Sequence, residues 1–193
     1  MASSTVCKSL GLQALLDTVR SDRIYSILDL GPALEDNIRF WSQFPCRLHV
    51  QDYFRSYQEC KAAVVAEQES RGAPFSVLLP FGSETVFDIV LAWDLFNYFE
   101  LKDLEMLVQS LSRWCRPGTL LFMLISDLPN IPASPTMFKI LDHEHLIHEI
   151  PTQETRPCPR HQPRDIAKLM ARFNIFRSFL LRHGIQEYVF VFK

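Results

Sequence analysis

The residues with most chemical potential in this chain are acids placed at the ends of apolar runs. Asp29 stands in Tyr25–Leu30 (YSILDL), just before Gly31-Pro32. Asp52 closes a second short run, Arg47–Val50 (RLHV), and Asp94 closes a third, Phe87–Ala92 (FDIVLA), with Trp93 between. A glycine after a strand lets a ligand approach the backbone closely. A carboxylate about 20 residues beyond that turn can accept hydrogen bonds from both hydroxyls of a ribose. Asp52 meets that requirement, and it equally suits a helix N-cap or a solvated loop acid. Asp29 can bind the backbone amides of its own loop, and Gly31 can simply end its strand. Asp94 can orient an amino group or a nucleophile, or cap a helix anchored by Leu95, Phe96 and Phe99. Trp93 and Tyr98 can wall a pocket.

Two further clusters carry ligating types. His143, His145 and His148 crowd one stretch, and imidazole suits zinc, iron and copper. However, no HExxH spacing and no cysteine partner accompany them, so solvated polar residues are the plainer reading and no metal site is assigned. Arg156, Arg160, His161 and Arg164 form a small basic group that suits an acidic partner or a solvated loop. There is no GxSxG motif, no phosphate loop of the GxxxxGK type, and no nicotinamide fingerprint beyond the single Gly31.

The elements that must position these residues alternate. Ser9–Arg20 has Leu12, Leu15, Leu16 and Val19 at helical spacing. The strand Tyr25–Leu30 leads to a helix through Ile38, Phe40 and Trp41, with Asp36 and Asn37 offering N-cap chemistry. Strand Arg47–Val50 precedes an alanine- and glutamate-rich helix, Gln58–Ser70, closed by Gly72-Ala73-Pro74. Ser76–Leu79 is a weak third strand. Phe87–Ala92 is continuous and apolar, as a strand covered on both faces should be. Leu101–Cys115 presents Leu104, Leu107, Val108, Leu111 and Trp114 on one face. Thr119–Ile125 is a buried strand and Asp165–Phe173 a helix. Asn174–Leu181 and Ile185–Phe192 are strands joined by Arg182-His183-Gly184. Between Ser126 and Pro163 prolines accumulate, marking a long connection of the kind that forms lids and binding loops.

Repeated strand–helix units imply a parallel sheet with right-handed crossovers and helices on both faces. The expected architecture is a three-layer α/β sandwich with a mostly parallel seven-stranded sheet ending in an antiparallel hairpin. It forms a single domain over 1–193 with a proline-rich insert at about 126–163. A terminal hairpin is foreign to an ordinary dinucleotide-binding dehydrogenase. It resembles instead the class I S-adenosylmethionine-dependent methyltransferases. Three patterns carry the resemblance: Ile27-Leu28-Asp29-Leu30-Gly31, Asp52 at the end of the second strand, and Phe87 to Asp94 followed by Arg116-Pro117-Gly118.

The resemblance implies a Rossmann-like fold with S-adenosylmethionine as cofactor, held by Asp29, Gly31, Pro32, Ala33, Asp52, Trp93 and Asp94. It implies in-line methyl transfer to a small-molecule or protein acceptor, the catalytic base being unassigned beyond the insert or Asp94. The chain departs from the family pattern after Gly31. Pro32 removes an amide donor, Leu34 and Glu35 bring bulk, and Leu79-Pro80-Phe81 stands where a polar residue often flanks adenine. The alternative is a non-catalytic methyltransferase-like binding or scaffold protein that kept the sheet and lost the loop.

Composition bounds the partners. The 193 residues are 48% hydrophobic and 22% charged, enough apolar material for a core. A net charge of −2 provides no pull toward nucleic acid or an anionic membrane. No apolar stretch approaches the roughly 18 residues of a membrane helix. The 5 cysteines are scattered, as in a reducing compartment. A cytoplasmic monomer or homodimer is expected.

Overall fold

The structure, a computed structural model, describes residues 3–66, 78–181 and 184–193. Six strands form its main sheet among the described residues: β2 (Tyr25–Asp29), β3 (Cys46–Val50), β4 (Phe87–Trp93), β5 (Cys115–Ser126), β10 (Phe173–Leu180) and β11 (Ile185–Phe192). Across the sheet their order is β10-β11-β5-β4-β2-β3. Strands β3, β2, β4 and β5 run parallel. β11 pairs antiparallel with both β5 and β10, giving the expected terminal hairpin. Arg182 and His183 at its turn lie outside the described residues, as does most of the expected strand Ser76–Leu79. Leu78 and Leu79 are described: they are buried in a bend, not a strand. The sheet is therefore described with six strands rather than seven.

β4 is buried along its whole length, which explains its unbroken apolar sequence. Its alternate residues feed two separate cores, one on each face. Val90 and Ala92 join Leu104, Leu107 and Leu111 of α4 (Leu101–Leu111). Ile89 and Leu91 join Leu12, Leu15 and Leu16 of α1 (Leu10–Leu16), with Phe40 and Trp41 of α2 (Glu35–Trp41). α3 (Tyr53–Ala66) and α5 (Pro163–Leu169) complete the helices. α3 starts five positions before the expected Gln58, because its first five residues include Tyr53, Phe54 and Tyr57. These rings pack edge-on or tilted against Phe99. That aromatic anchoring outweighs the low helix propensity of such residues. The segment after Ala66, including the expected stop at Gly72-Ala73-Pro74, lies outside the described residues.

The proline-rich stretch is folded. β6 (Asn130–Pro132) pairs with β9 (Thr155–Pro157), and β7 (Met137–Ile140) with β8 (His145–Ile150). An unexpected amino-terminal strand, β1 (Ser3–Lys8), joins β8 antiparallel with Cys7 opposite Leu146, making a three-stranded sheet β1-β8-β7. Asn37, expected near a cap, is buried and clamps this sheet to α2. Its Nδ2 donates to the Phe138 carbonyl at 2.9 Å and its Oδ1 accepts from the Ile140 amide at 2.8 Å. α2 starts at Glu35 with Leu34 in the cap position and no side-chain cap.

α1 is held by a buried carboxylate. Glu187 of β11 is fully buried, and it accepts from the Ser9 hydroxyl and from the Gly11 amide at 2.7 Å. Burial pushes its carboxyl upward while these donors offset part of the cost. A Cβ on Gly11 would stand 2.8 Å from Phe122 Cε2 and 3.0 Å from Glu187 Cβ. Gly11→Ala is therefore expected to destabilise the fold by about 1–2 kcal/mol. Overpacking costs about 1–3 kcal/mol, and the better helix propensity of alanine returns only part of it. Urea denaturation checks this: an unchanged midpoint would mean that α1 moves aside freely.

Candidate functional site

The carboxyl ends of β2, β3 and β4 lie side by side, where open parallel sheets bind ligands. The backbone knits these tips together: Leu30 N donates to Leu91 O at 3.0 Å, Gln51 N to Asp29 O at 2.8 Å and Tyr53 N to Leu30 O at 3.1 Å. Above them is a cavity of about 210 Å³. Gly31, Pro32, Asp52, Trp93 and Asp94, from three separate segments, all line it. Ala33 is exposed and is not part of the lining, and neither is Leu34. Asp29 lies behind the wall, 1% exposed.

Asp29 is committed within the protein. One carboxylate oxygen accepts from the Gly31 amide at 2.9 Å and from the Trp93 indole at 2.7 Å. Burial pushes its carboxyl up to about 6, against the opposing pull of these two donors; nearby Asp52 adds slightly to the rise. The carboxylate thus serves its own loop, as one of its two sequence readings has it. Trp93 has a left-handed backbone, φ 49°, uncommon for a bulky residue. Its ring stacks on Phe138 at 5.5 Å and 7°. A Cβ on Gly31 would approach Trp93 Cδ1 to 3.0 Å, so the indole itself needs glycine there.

Asp52 caps α3: its Oδ1 accepts from the Arg55 amide at 3.1 Å. It is also half-buried at the cavity edge, so cap and lining are one residue. Asp94 is 8% exposed. Its Oδ2 accepts from the Thr136 amide at 3.1 Å, while Oδ1 is buried with no hydrogen-bond partner. Burial pushes this carboxyl up to about 7, opposed by the Thr136 donors. A buried carboxylate oxygen without a partner is costly, and such groups concentrate at functional sites.

Asp94 and Thr136 also line a second cavity, of about 170 Å³, on the insert side. Its wall is mostly apolar, with Leu124, Leu128, Ile131, Phe138, Ile150 and Ile185 among its residues. Thr136, Phe138 and Ile150 escape notice in the sequence. Their only signal is membership of a proline-rich connection, and Thr136 acts partly through its backbone amide, which no side-chain pattern reveals.

The histidines do not converge. His143 bonds Asp17 at 2.7 Å, His145 bonds Asp142 at 3.0 Å, and His148 packs edge-on to Phe138 within the second cavity. Among the described residues no three His, Cys, Asp or Glu side chains group to hold a metal ion. His161 donates its Nε2 hydrogen toward the Phe96 and Phe99 carbonyls at 3.1 and 3.0 Å. Arg156 lies over the Tyr98 ring at 5.9 Å. His161 and Arg156 thus brace the turn after β4, whereas Arg164 pairs with Asp165 and Arg160 lines a separate pocket. Phe81 packs edge-on to His49, Phe87 and Trp114, in a core role and not as a base-stacking surface.

No protein-family model and no curated protein matches the sequence. Solved structures do match. A methyltransferase of Methanosarcina mazei described as S-adenosylmethionine-dependent aligns with TM-score 0.55 and 14% identity, over 93% of this chain and 96% of its own. One from Clostridium acetobutylicum aligns with TM-score 0.54 and 11% identity, over 94% and 90%. The glycopeptide N-methyltransferase MtfA, solved with S-adenosyl-L-homocysteine, aligns with TM-score 0.51 and 11% identity, over 97% and 91%. At such identities the likeness speaks for architecture alone, which in this chain is a mixed sheet of six strands among the described residues, with a hairpin at one edge. The chain has a Rossmann-like fold similar to that of these methyltransferases.

Proposed function

We propose that the chain binds S-adenosylmethionine over the tips of β2, β3 and β4 and promotes methyl transfer to a small-molecule or protein acceptor. The observation that carries this is Asp94, which lines both cavities and holds a buried oxygen with no hydrogen-bond partner. The residues suit a cationic adenosyl ligand. Asp52 and Asp94 both face the first cavity, and Arg55, the one basic residue of its lining among the described residues, is paired with Glu59. When bound, that cofactor supplies an activated methyl group on a cationic sulfur. Asp52 holds ribose hydroxyls with the oxygen its cap leaves over. Asp94 offers its free oxygen to a cation or to the proton of an acceptor. Phe138 and Trp93 exclude water, and the protein's contribution is chiefly alignment. We take the chain to be one domain, acting in the cytoplasm as a monomer or homodimer. Its cysteines are free, and no helix among the described residues is long and apolar enough to cross a membrane.

A second reading, a binding or scaffold protein without catalysis, draws on two observations. The indole of Trp93 fills the space over Gly31, and about 210 Å³ lies below the roughly 300–1,000 Å³ of usual ligand pockets. Calorimetric titration with S-adenosylhomocysteine separates the two. Saturable binding, weakened about tenfold (about 1.4 kcal/mol) in Asp52→Asn, supports the cofactor site. Asparagine retains the helix cap, so the loss reports the ligand contact. Absence of binding at millimolar ligand supports the scaffold.

A further inference from the structure

The second cavity is small, bordered by the insert, open at a rim that carries Leu128, and chemically one-sided. Its apolar wall comes from β5, β6, β7, β8 and β11, so it is built by the main sheet and the insert together. Most of its polar groups are already engaged. Asn97 donates to the Leu124 carbonyl at 3.1 Å and accepts from the Ser126 amide at 2.9 Å. Tyr98 donates to the Ser134 carbonyl at 2.9 Å, and the Ser126 hydroxyl accepts from the Leu128 amide at 3.2 Å. What remains is the unpartnered oxygen of Asp94, more than nine-tenths buried, the ring of His148, and the exposed side chain of Asn130 at the rim. Burial lowers the His148 pKa and favours its neutral form. Among the described residues no lysine or arginine lines this cavity.

Size narrows the occupant further. An apolar cavity of roughly 150 Å³ accommodates one benzene ring, and this one is about 170 Å³. An anion would meet a carboxylate with no counter-cation. From this size and lining, and resting on the methyl-transfer reading above, we infer that the acceptor presents a neutral group about one ring in size, bearing an O–H or N–H that donates to Asp94. Leu124, Ile131 and Phe138 grip the ring.

Phenol is the probe. Calorimetry on the purified chain is expected to show saturable phenol binding, with benzene about tenfold weaker for want of the hydroxyl and benzoate not bound. Leu128→Trp, at the exposed rim, and Ile150→Trp, in β8, each fill the cavity from a different side without touching the first one. Both should weaken phenol at least tenfold and leave S-adenosylhomocysteine binding unchanged; two variants guard against one that misfolds. Phenol binding that is absent, or indifferent to both tryptophans, or matched by benzoate, overturns the inference. If S-adenosylhomocysteine binds while phenol fails, the cofactor reading stands and the acceptor class falls. If phenol binds as described and S-adenosylhomocysteine does not, the cavity stands and methyl transfer falls.

Discussion

Asp94→Asn is expected to be more stable than the parent at pH 8 and less stable at pH 4. The folded carboxyl is pushed up to about 7, from 3.8 for an aspartate in an unstructured chain. A raised folded pKa means that the native state holds its proton more tightly. The stability from this group is therefore fully present below about pH 4 and is lost as pH rises through 7. Over that interval the linkage amounts to about 4 kcal/mol at most. Asparagine does not titrate and keeps an oxygen for the Thr136 amide. Its amide nitrogen, placed where Oδ1 is now unpartnered, costs about 1–3 kcal/mol. The two stability curves must cross between the two pH values. Urea denaturation at pH 4 and pH 8 reads this directly. A variant weakened equally at both would show that burial of the Asp94 charge is not costly. The same variant is expected to lose phenol binding, so stability at pH 8 and ligand binding move in opposite directions, as at strained functional sites.

The second large effect concerns Trp93. Trp93→Gly removes the ring stacked on Phe138, its edge contact with Phe122 at 5.8 Å, and the indole hydrogen bond to Asp29. Truncating a buried tryptophan costs about 3–5 kcal/mol. Glycine relieves the left-handed backbone, returning about 1 kcal/mol, so a net loss of about 3 kcal/mol is expected. Gly31→Ala is expected to cost about 1–3 kcal/mol in the parent, because its Cβ meets the indole. In the Trp93→Gly background the same change should be nearly neutral. The double-mutant cycle thus carries a coupling of about 1 kcal/mol or more, measured by denaturation of the four proteins. Strict additivity would mean that Gly31 is glycine for some reason other than Trp93.

What the sequence discloses and what it hides follow from how each signal is encoded. β4 is readable because both its faces are buried, so every residue from Phe87 to Trp93 is apolar or paired; Asp88 in its midst is held by Arg23 and Arg116. α4 is readable because Leu104, Leu107, Val108 and Leu111 repeat at helical spacing on one buried face. The meeting of Gly31, Pro32, Asp52, Trp93 and Asp94 around one cavity follows from strand order, since they stand at neighbouring strand tips. β1 is hidden: Ser3–Lys8 is short and largely polar, Val6 is 56% exposed, and the strand exists only through its pairing with β8. Asn37 misleads because cap-forming chemistry near a helix start is local, whereas its partners in β7 lie a hundred positions away. Ala33 rests on analogy to a loop whose path here turns outward after Pro32.

The pairing of Cys7 with Leu146 has a temporal consequence. A ribosome delivers chains at about 5–20 residues per second, so β1 leaves the tunnel many seconds before its partner exists. Until then Val6 and its neighbours have no strand to join, and contacts of such separation close late. The wall bearing His148 is therefore among the last parts of the molecule to set, and a nick that frees the first eight residues would loosen it while sparing the central sheet.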